Sequence, residues 1–369
     1  MLKRFEVEGF KCFDFPLIID FSDIKQYSFN RDCISNNLLK TLIVYGKNAV
    51  GKSNLGLALF DLVSHLVDRN VTPNVYDFYL NNKGKYGSAS FRYVFQFGVD
   101  IVDYRYKKSN VDHIVYESLT INDVKYFEYS DKTVLNSNSN YVSEVFPNLN
   151  FVYNDATIST LRFIVNNSAF DKDHPLRKMY DFVSNMLWFR SLDENLFIGF
   201  KDNVRKANDY YEFIFEDDNL TQFQKLLITA GIDEKLIVKT TPTMKKELYF
   251  DGKPLVPFFK VASNGTKALY TFFYWTRNKE ISFLFIDEFD AYYHYELAEL
   301  IVKDLEKRSM QTILTSHNTN LLSNSIMRPD CYFILTPVRI TSIARATERE
   351  LREGHNLEKL YINGEFDGS

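Results

Sequence analysis

Between Val44 and Ser53 the chain reads V-Y-G-K-N-A-V-G-K-S. Gly46, Gly51, Lys52 and Ser53 complete the spacing G-x-x-x-x-G-K-[ST], a phosphate loop. Such a loop surrounds phosphate oxygens with backbone N–H groups at the start of a helix. Lys52 would reach the β- and γ-phosphates of a nucleoside triphosphate, and Ser53 would hold Mg2+. Asn48 inside the loop and Asn54 just after it complete the candidate nucleotide-binding set. The flanks fit the chemistry. Thr41-Leu42-Ile43-Val44-Tyr45 is a buried-strand pattern, and residues 53–68 have helical spacing.

A phosphate loop needs a distant acidic strand end to complete the Mg2+ shell. Ile281 to Ile286 is a continuous apolar run that ends in Asp287-Glu288, as suits a strand buried on both faces. Asp287 would meet Mg2+, usually through water, and Glu288 would polarise the attacking water. Gln311 to Ser316 is another strand pattern, and it ends in His317. Most single histidines are structural or solvated, but one at a neighbouring strand end can sense a γ-phosphate. Between the two halves lies Ser263-Asn264-Gly265-Thr266-Lys267. Ser and Gly before a helix form a second anion-binding N-terminus. The first loop already serves the phosphates, so Ser263 and Gly265 are expected to cap ATP held by another subunit. The bland alternative is an ordinary N-capped helix.

These groups need a framework. Leu2, Phe5, Val7 and Gly9-Phe10 alternate as in a half-buried strand, and Leu17-Ile18-Ile19 is a second apolar stretch. Short strand patterns follow from 88 to 126, as in an antiparallel sheet. Residues 131–142 are rich in Ser, Asn and Asp and read as a loop. From about 155 to 235 the texture is mostly helical, for example Pro175 to Leu187 and Leu220 to Ala230. Sustained heptads, and so a long coiled-coil arm, are missing. Strand character returns from 247 to 259, and the remainder alternates helix and strand as in a parallel α/β sheet.

At 369 residues the chain suffices for one large or two modest domains. Its net charge of −4 argues against a surface that as a whole traps nucleic acid by charge, and leaves a local basic face open. Aromatic residues reach 16%, but they are scattered, which points to core and interface rather than a cofactor box. Cys12, Cys33 and Cys331 have no zinc spacing and are expected as free thiols in a reducing cytoplasm. No apolar signal core opens the chain and no run of 18 apolar residues exists, so no membrane span is expected.

The order of these features resembles that of ABC-type ATPases, in particular the soluble branch of RecF, the SMC proteins and the OLD family of prokaryotic ATPases. Gly9-Phe10-Lys11-Cys12-Phe13 is similar to that branch's N-terminal strand end. Gly46 to Ser53 matches its Walker A, and Ser263 to Lys267 its shortened signature. Phe285 to His294, followed by Thr315-Ser316-His317-Asn318, resembles its Walker B, D-loop and H-switch. Arg328-Pro329-Asp330 and the closing Tyr361 to Phe366 are similar to its C-terminal endings. The likeness covers about residues 1–120 and 245–369.

The resemblance implies an α/β ABC-ATPase head over residues 1–130 and 245–369. It would hold a mixed N-terminal sheet and a central, mostly parallel sheet, with residues 131–244 as a mainly helical insertion. It implies ATP and Mg2+ as cofactors, a D-loop role for Asp290 at the nucleotide, and a Q-loop glutamine on the metal, for which Gln96 is the candidate. It implies a homo-oligomer built from ATP-sandwich dimers. Stand-alone ATPases of this kind resemble antiphage defence subunits such as those of PARIS, Septu and the RloA type. On that analogy a separate effector, a nuclease or toxin, is the expected partner. The alternative is a RecF-like ATPase that binds DNA in repair or recombination, with the Arg-bearing tail (Arg328, Arg339, Arg345, Arg349, Arg352) as its clue. A scaffold with very slow turnover and a preference for GTP both stay open at this level.

Overall fold

A computed structural model describes residues 1–67, 75–83, 85–130, 157–191, 193–199, 207–277 and 280–366. In chain order the first elements are β1 (Leu2–Glu8), β2 (Leu17–Asp20), the short pair β3 (Ile34–Ser35) and β4 (Leu38–Leu39), β5 (Thr41–Tyr45) and helix α1 (Lys52–Leu66). Then come β6 (Ala89–Phe97), β7 (Asp100–Lys108), β8 (Ile114–Ile121) and β9 (Val124–Ser130). Helices α2 (Thr160–Asn167) and α3 (Pro175–Ser184) precede β10 (Met186–Arg190) and β11 (Asp193–Gly199). Helices α4 (Ala207–Glu212) and α5 (Asn219–Thr229) lead to β12 (Leu236–Thr240), β13 (Lys246–Phe250) and β14 (Val256–Pro257). The last part holds α6 (Phe258–Val261), α7 (Asn264–Thr276), β15 (Phe283–Asp287), α8 (Tyr295–Glu306), β16 (Gln311–Thr315), β17 (Tyr332–Leu335), β18 (Ile340–Ser342) and α9 (Leu357–Ile362).

Two sheets and the helix between them position the site. The central sheet has the order β11-β10-β15-β16-β5-β17-β18. Its five inner strands are parallel, and an antiparallel strand closes each edge. Every residue of β5, β15 and β16 is buried. Continuous apolar runs fit strands covered on both faces. The second sheet, β2-β1-β6-β7-β8-β9, is antiparallel throughout. In β1 the alternating burial of Leu2, Phe5 and Val7 marks one face turned to the core.

The helix α1 lies between the sheets and is buried on nearly all sides. Its Gly56 has no room for a side chain, since a Cβ there would stand 2.8 Å from Phe285 of β15 and also collide with Trp188 of β10. On the other side α1 meets aromatic residues of the antiparallel sheet. Phe91 stacks on Tyr106 with centroids 5.0 Å apart, and the Tyr93 hydroxyl donates to the Ala58 carbonyl at 2.8 Å. Many of the scattered aromatics are core, while Phe15, Phe78 and Tyr211 are exposed.

Charged groups also cross this interface. Asp61 of α1 is fully buried and accepts from Tyr79 (2.9 Å), Tyr106 (2.7 Å) and Lys108 (2.9 Å). Glu117 of β8 accepts from Tyr104 (2.7 Å), Ser159 (2.8 Å) and the N–H groups of Thr160 (2.7 Å) and Leu161 (2.9 Å). It thereby caps the N-terminus of α2. The buried pair Arg328–Asp330 (2.7 Å) ties in the segment after β2, where Asp330 accepts the Lys25 N–H at 2.8 Å.

Among its described residues the span 131–244, expected as a mainly helical insertion, also supplies two strands to the central sheet. Residues 186–199 form β10 and β11 of the central sheet, and β10 runs parallel beside β15. The apolar run Met186-Leu187-Trp188-Phe189 directly follows a helix, so spacing alone extends the helix through it. The structure ends α3 at Ser184. The loop expected at 131–142 lies outside the described residues.

Candidate functional site

Parallel strands deliver their C-terminal ends to one edge, and β15, β16 and β5 lie side by side there. Ligands in open α/β sheets bind at this edge. From β5 the chain turns through the glycine loop into α1. Gly51 precedes α1 with φ 106°, a backbone region that favours glycine. Space demands glycine too, since a Cβ would lie 2.5 Å from Cys12 Sγ and 3.1 Å from Phe13. At Gly46 a Cβ would lie 2.7 Å from the Leu335 carbonyl oxygen.

Lys52 is the first residue of α1 and is 7% exposed. Its Nζ donates to the carbonyls of Gly46 (2.8 Å) and Lys47 (3.3 Å), bracing the loop from inside. Burial lowers its pKa, and the charges of Asp287 and Glu288 oppose that shift. Ser53 is half-buried and Asn48 exposed, while the Asn54 amide donates to Cys12 Sγ at 3.1 Å.

Asp287 ends β15 and is fully buried. The Thr315 hydroxyl, at the end of β16, donates to Asp287 Oδ1 at 2.8 Å. The Thr315 hydroxyl oxygen in turn accepts the N–H of Glu288 at 2.7 Å. One side chain thus orients both acidic residues. Glu288 sits at φ 52°, a strained value for a residue with a Cβ. Ser316, the residue after β16, donates to Asp290 Oδ2 at 2.7 Å. Burial raises the Asp290 pKa, and the Ser316 hydrogen bond and the nearby His317 oppose it. His317 itself is exposed.

The sequence reading missed Arg190, the last residue of β10. Its register partner on β15 is Asp287. Its Nη2 donates to Glu288 Oε2 at 3.1 Å, and its Nε lies 3.8 Å from Asp287 Oδ2. Asp287 Oδ2 and Arg190 Nε are both buried without a hydrogen-bond partner. A signal existed: an apolar run that ends in a charge, as β15 does. Such a run has meaning only once β10 is known to neighbour β15.

The donor set fits Mg2+. Ser53 offers a hydroxyl and Asp287 a carboxylate with one oxygen lacking a hydrogen bond, the hard oxygen ligands that this ion takes.

The other expected residues divide. The structure brings Gly46, Gly51, Lys52, Ser53, Asp287, Glu288, Asp290 and His317 to one edge of the central sheet. Ser263 and Gly265 stand at the start of α7. Ser263 caps α7, its hydroxyl accepting the Thr266 N–H at 3.1 Å. Gly265 lies against Tyr292, where a Cβ would be 3.3 Å from the carbonyl oxygen. Gln96 is not a metal ligand here. It sits on β6 of the antiparallel sheet and shares backbone hydrogen bonds with Met1 (2.8 and 2.9 Å), at the start of β1. Cys12 and Phe13, which touch the glycine loop, follow the other end of β1. A seven-residue strand spans roughly 20 Å, so Gln96 is at the wrong end of its neighbour.

A phosphate loop joined to an acidic strand end on a parallel sheet defines the class of P-loop nucleotide-binding proteins. Residues 42–323 match the family described as "AAA domain, putative AbiEii toxin, Type IV TA system". The chain belongs to this family of AAA domains. No curated protein sequence matches it. Among solved structures it is similar to the SMC head domain from Thermotoga maritima, at 15% identity over 92% of this chain and 98% of that one, with a TM-score of 0.42. It is also similar to an SMC head bound to the C-terminal winged-helix domain of ScpA, at 16% identity over 92% and 97%, TM-score 0.45. A third is the Pyrococcus furiosus SMC head with an extended coiled coil, bound to the C-terminal domain of ScpA, at 13% identity over 92% and 96%, TM-score 0.45. Among the described residues no helix is long and apolar enough to cross a membrane.

Proposed function

We propose that this protein is an ABC-type ATPase that binds and hydrolyses ATP in a sandwich between two copies. One protomer would supply Lys52, Ser53, Asp287, Glu288 and His317, and the partner Ser263 and Gly265. The observation that carries the reading is Thr315, whose one hydroxyl orients Asp287 and Glu288 on the strand next to the phosphate loop. Asp287 and Ser53 would hold Mg2+, which when bound offsets phosphate charge. Glu288 would accept the proton of the attacking water. Exposure of Ser263 at the start of α7 supports its use in trans.

The test is Glu288→Gln. It should lower hydrolysis by about 10²–10⁴-fold and keep ATP-bound dimers, read by phosphate release and by light scattering after gel filtration. Hydrolysis at the parental rate would overturn the assignment of the base.

Within this reading the ATPase serves as the sensor or regulatory subunit of an antiphage system and controls a separate nuclease or toxin. The DNA-handling alternative has less support, because the Arg-bearing tail is largely neutralised. Arg328 pairs with Asp330 (2.7 Å), Arg349 with Glu365 (3.7 Å), Arg352 with Glu350 (3.0 Å), and Arg345 with Asp23. Capture of partners by the Glu288→Gln variant, with ATP and nuclease treatment, separates the two. A stoichiometric protein favours the regulatory reading, and nuclease-sensitive DNA alone favours the other.

A further inference from the structure

Arg190 poses a problem of charge. Asp287 and Glu288 are adjacent carboxylates, and the first is fully buried. Buried charge must be paired, yet Lys52 spends its hydrogen bonds on the carbonyls of Gly46 and Lys47. The cation that meets the acidic pair is Arg190, 3.1 Å from Glu288 Oε2 and 3.8 Å from Asp287 Oδ2. It comes from β10, on the opposite side of β15 from Thr315. The acidic strand end is thus flanked by a hydroxyl on one neighbour and a guanidinium on the other.

The two contacts divide the work. Thr315 fixes the backbone of Glu288 and one oxygen of Asp287. It does not touch the Glu288 carboxylate, which is the group that must point at water. Arg190 does touch it. Arg190 Nε also remains buried without a hydrogen bond, 3.8 Å from the Asp287 oxygen that likewise lacks one. A fully satisfied structural pair does not leave both partners in this state.

We propose that Arg190 is a positioning residue for hydrolysis. It holds the Glu288 carboxylate in the orientation from which it activates water, and it balances the charge of the Asp287–Glu288 pair. This inference rests on the ATPase reading above. Loss of that grip leaves Glu288 free to rotate, and misplacement of a catalytic group by about 1 Å costs on the order of 10²-fold in rate. ATP binding should change little, because the phosphate loop does not use Arg190.

The test is steady-state ATP hydrolysis by Arg190→Ala, Arg190→Lys and Glu288→Gln, and by Arg190→Ala combined with Glu288→Gln. The proposal expects Arg190→Ala to lower kcat by about 10²-fold with little change in KM for ATP. Arg190→Lys, which keeps the charge without the planar fork, should fall between it and the parent. In the Glu288→Gln background Arg190→Ala should cause no further loss, since one residue acts through the other. Parental kcat in Arg190→Ala, a change confined to KM, or an equal loss in both backgrounds would overturn it. Should Arg190→Ala fail to fold, Arg190→Lys decides: a parental kcat there sinks the proposal. If Glu288→Gln itself hydrolyses ATP at the parental rate, the ATPase assignment fails instead, whatever Arg190 does.

Discussion

Two clusters of buried charge lie at opposite ends of the same short route through α1, and they are built differently. Asp61, in the body of the helix, has a hydrogen bond to each carboxylate oxygen and a lysine in contact. Glu117, on β8 of the antiparallel sheet, accepts from four donors. At the helix N-terminus, Asp287 leaves one oxygen without a hydrogen bond, and Arg190 leaves a nitrogen in the same condition. Glu288 adds a strained backbone. The first cluster ties α1 and α2 to the antiparallel sheet and leaves no carboxylate oxygen without a hydrogen bond. The unsaturated one keeps coordination capacity in reserve, as a site for an ion and a phosphate requires.

Four measurements would break or sharpen this contrast. The largest expected effect is on rate. Glu288→Gln should lower kcat by about 10²–10⁴-fold with a thermal midpoint close to the parent's. A matching loss of stability would mean that the unsaturated cluster is also structural. The mirror case is Asp61→Ala, which strands Lys108 without its carboxylate partner. It should cost about 3–5 kcal/mol of stability in denaturant unfolding, while the KM of the remaining folded protein stays put. A selective effect on catalysis would erase the distinction.

Thr315→Val belongs to both classes. It removes a donor from Asp287 and an acceptor from Glu288, an expected cost of about 1–3 kcal/mol. Most of that cost should appear in kcat rather than in the unfolding midpoint.

Glu306, the last residue of α8, supplies the smallest effect and the sharpest exception. Its Oε1 is also buried without a hydrogen bond, yet it is far from the site. Burial first, and then the charge of Asp32, raise its pKa to about 7, with Lys40 opposing. The folded state therefore binds this proton more tightly than the unfolded chain does. That contribution is present in full below the ordinary carboxylate range and is lost as pH rises through about 7. Glu306→Gln should flatten the decline of the unfolding midpoint between about pH 5 and 8 without altering ATP hydrolysis. Protonation relieves Glu306, whereas a neighbouring cation relieves Asp287.

The contrast also explains what the sequence made legible. Gly46, Gly51, Lys52 and Ser53 are readable because loop chemistry is local and its spacing is fixed. Asp287-Glu288 is readable because a buried strand ends there. Arg190 is not, because its partner lies on another strand and only the parallel pairing of β10 with β15 joins them. The same nonlocality misplaced Gln96. A glutamine near the end of an apolar strand looks right in sequence, but neither the sheet nor the end of the sheet can be read from its neighbours. Likewise β10 hides behind a helix because the burial of Met186 to Phe189 on both faces removes the alternation that would mark it.

The tight seat of Gly56 has a mechanical corollary. With no space for even a methyl group between α1 and Phe285, and with Asp61 bonded to the opposite sheet, the helix is clamped on both flanks like a beam in a wall. Close-packed interiors are nearly incompressible. A push on the beam's end at Lys52 cannot be absorbed along its length. Movement at Lys52 is therefore expected to carry through α1 to the antiparallel sheet, which Asp61 holds by way of Tyr106 and Lys108.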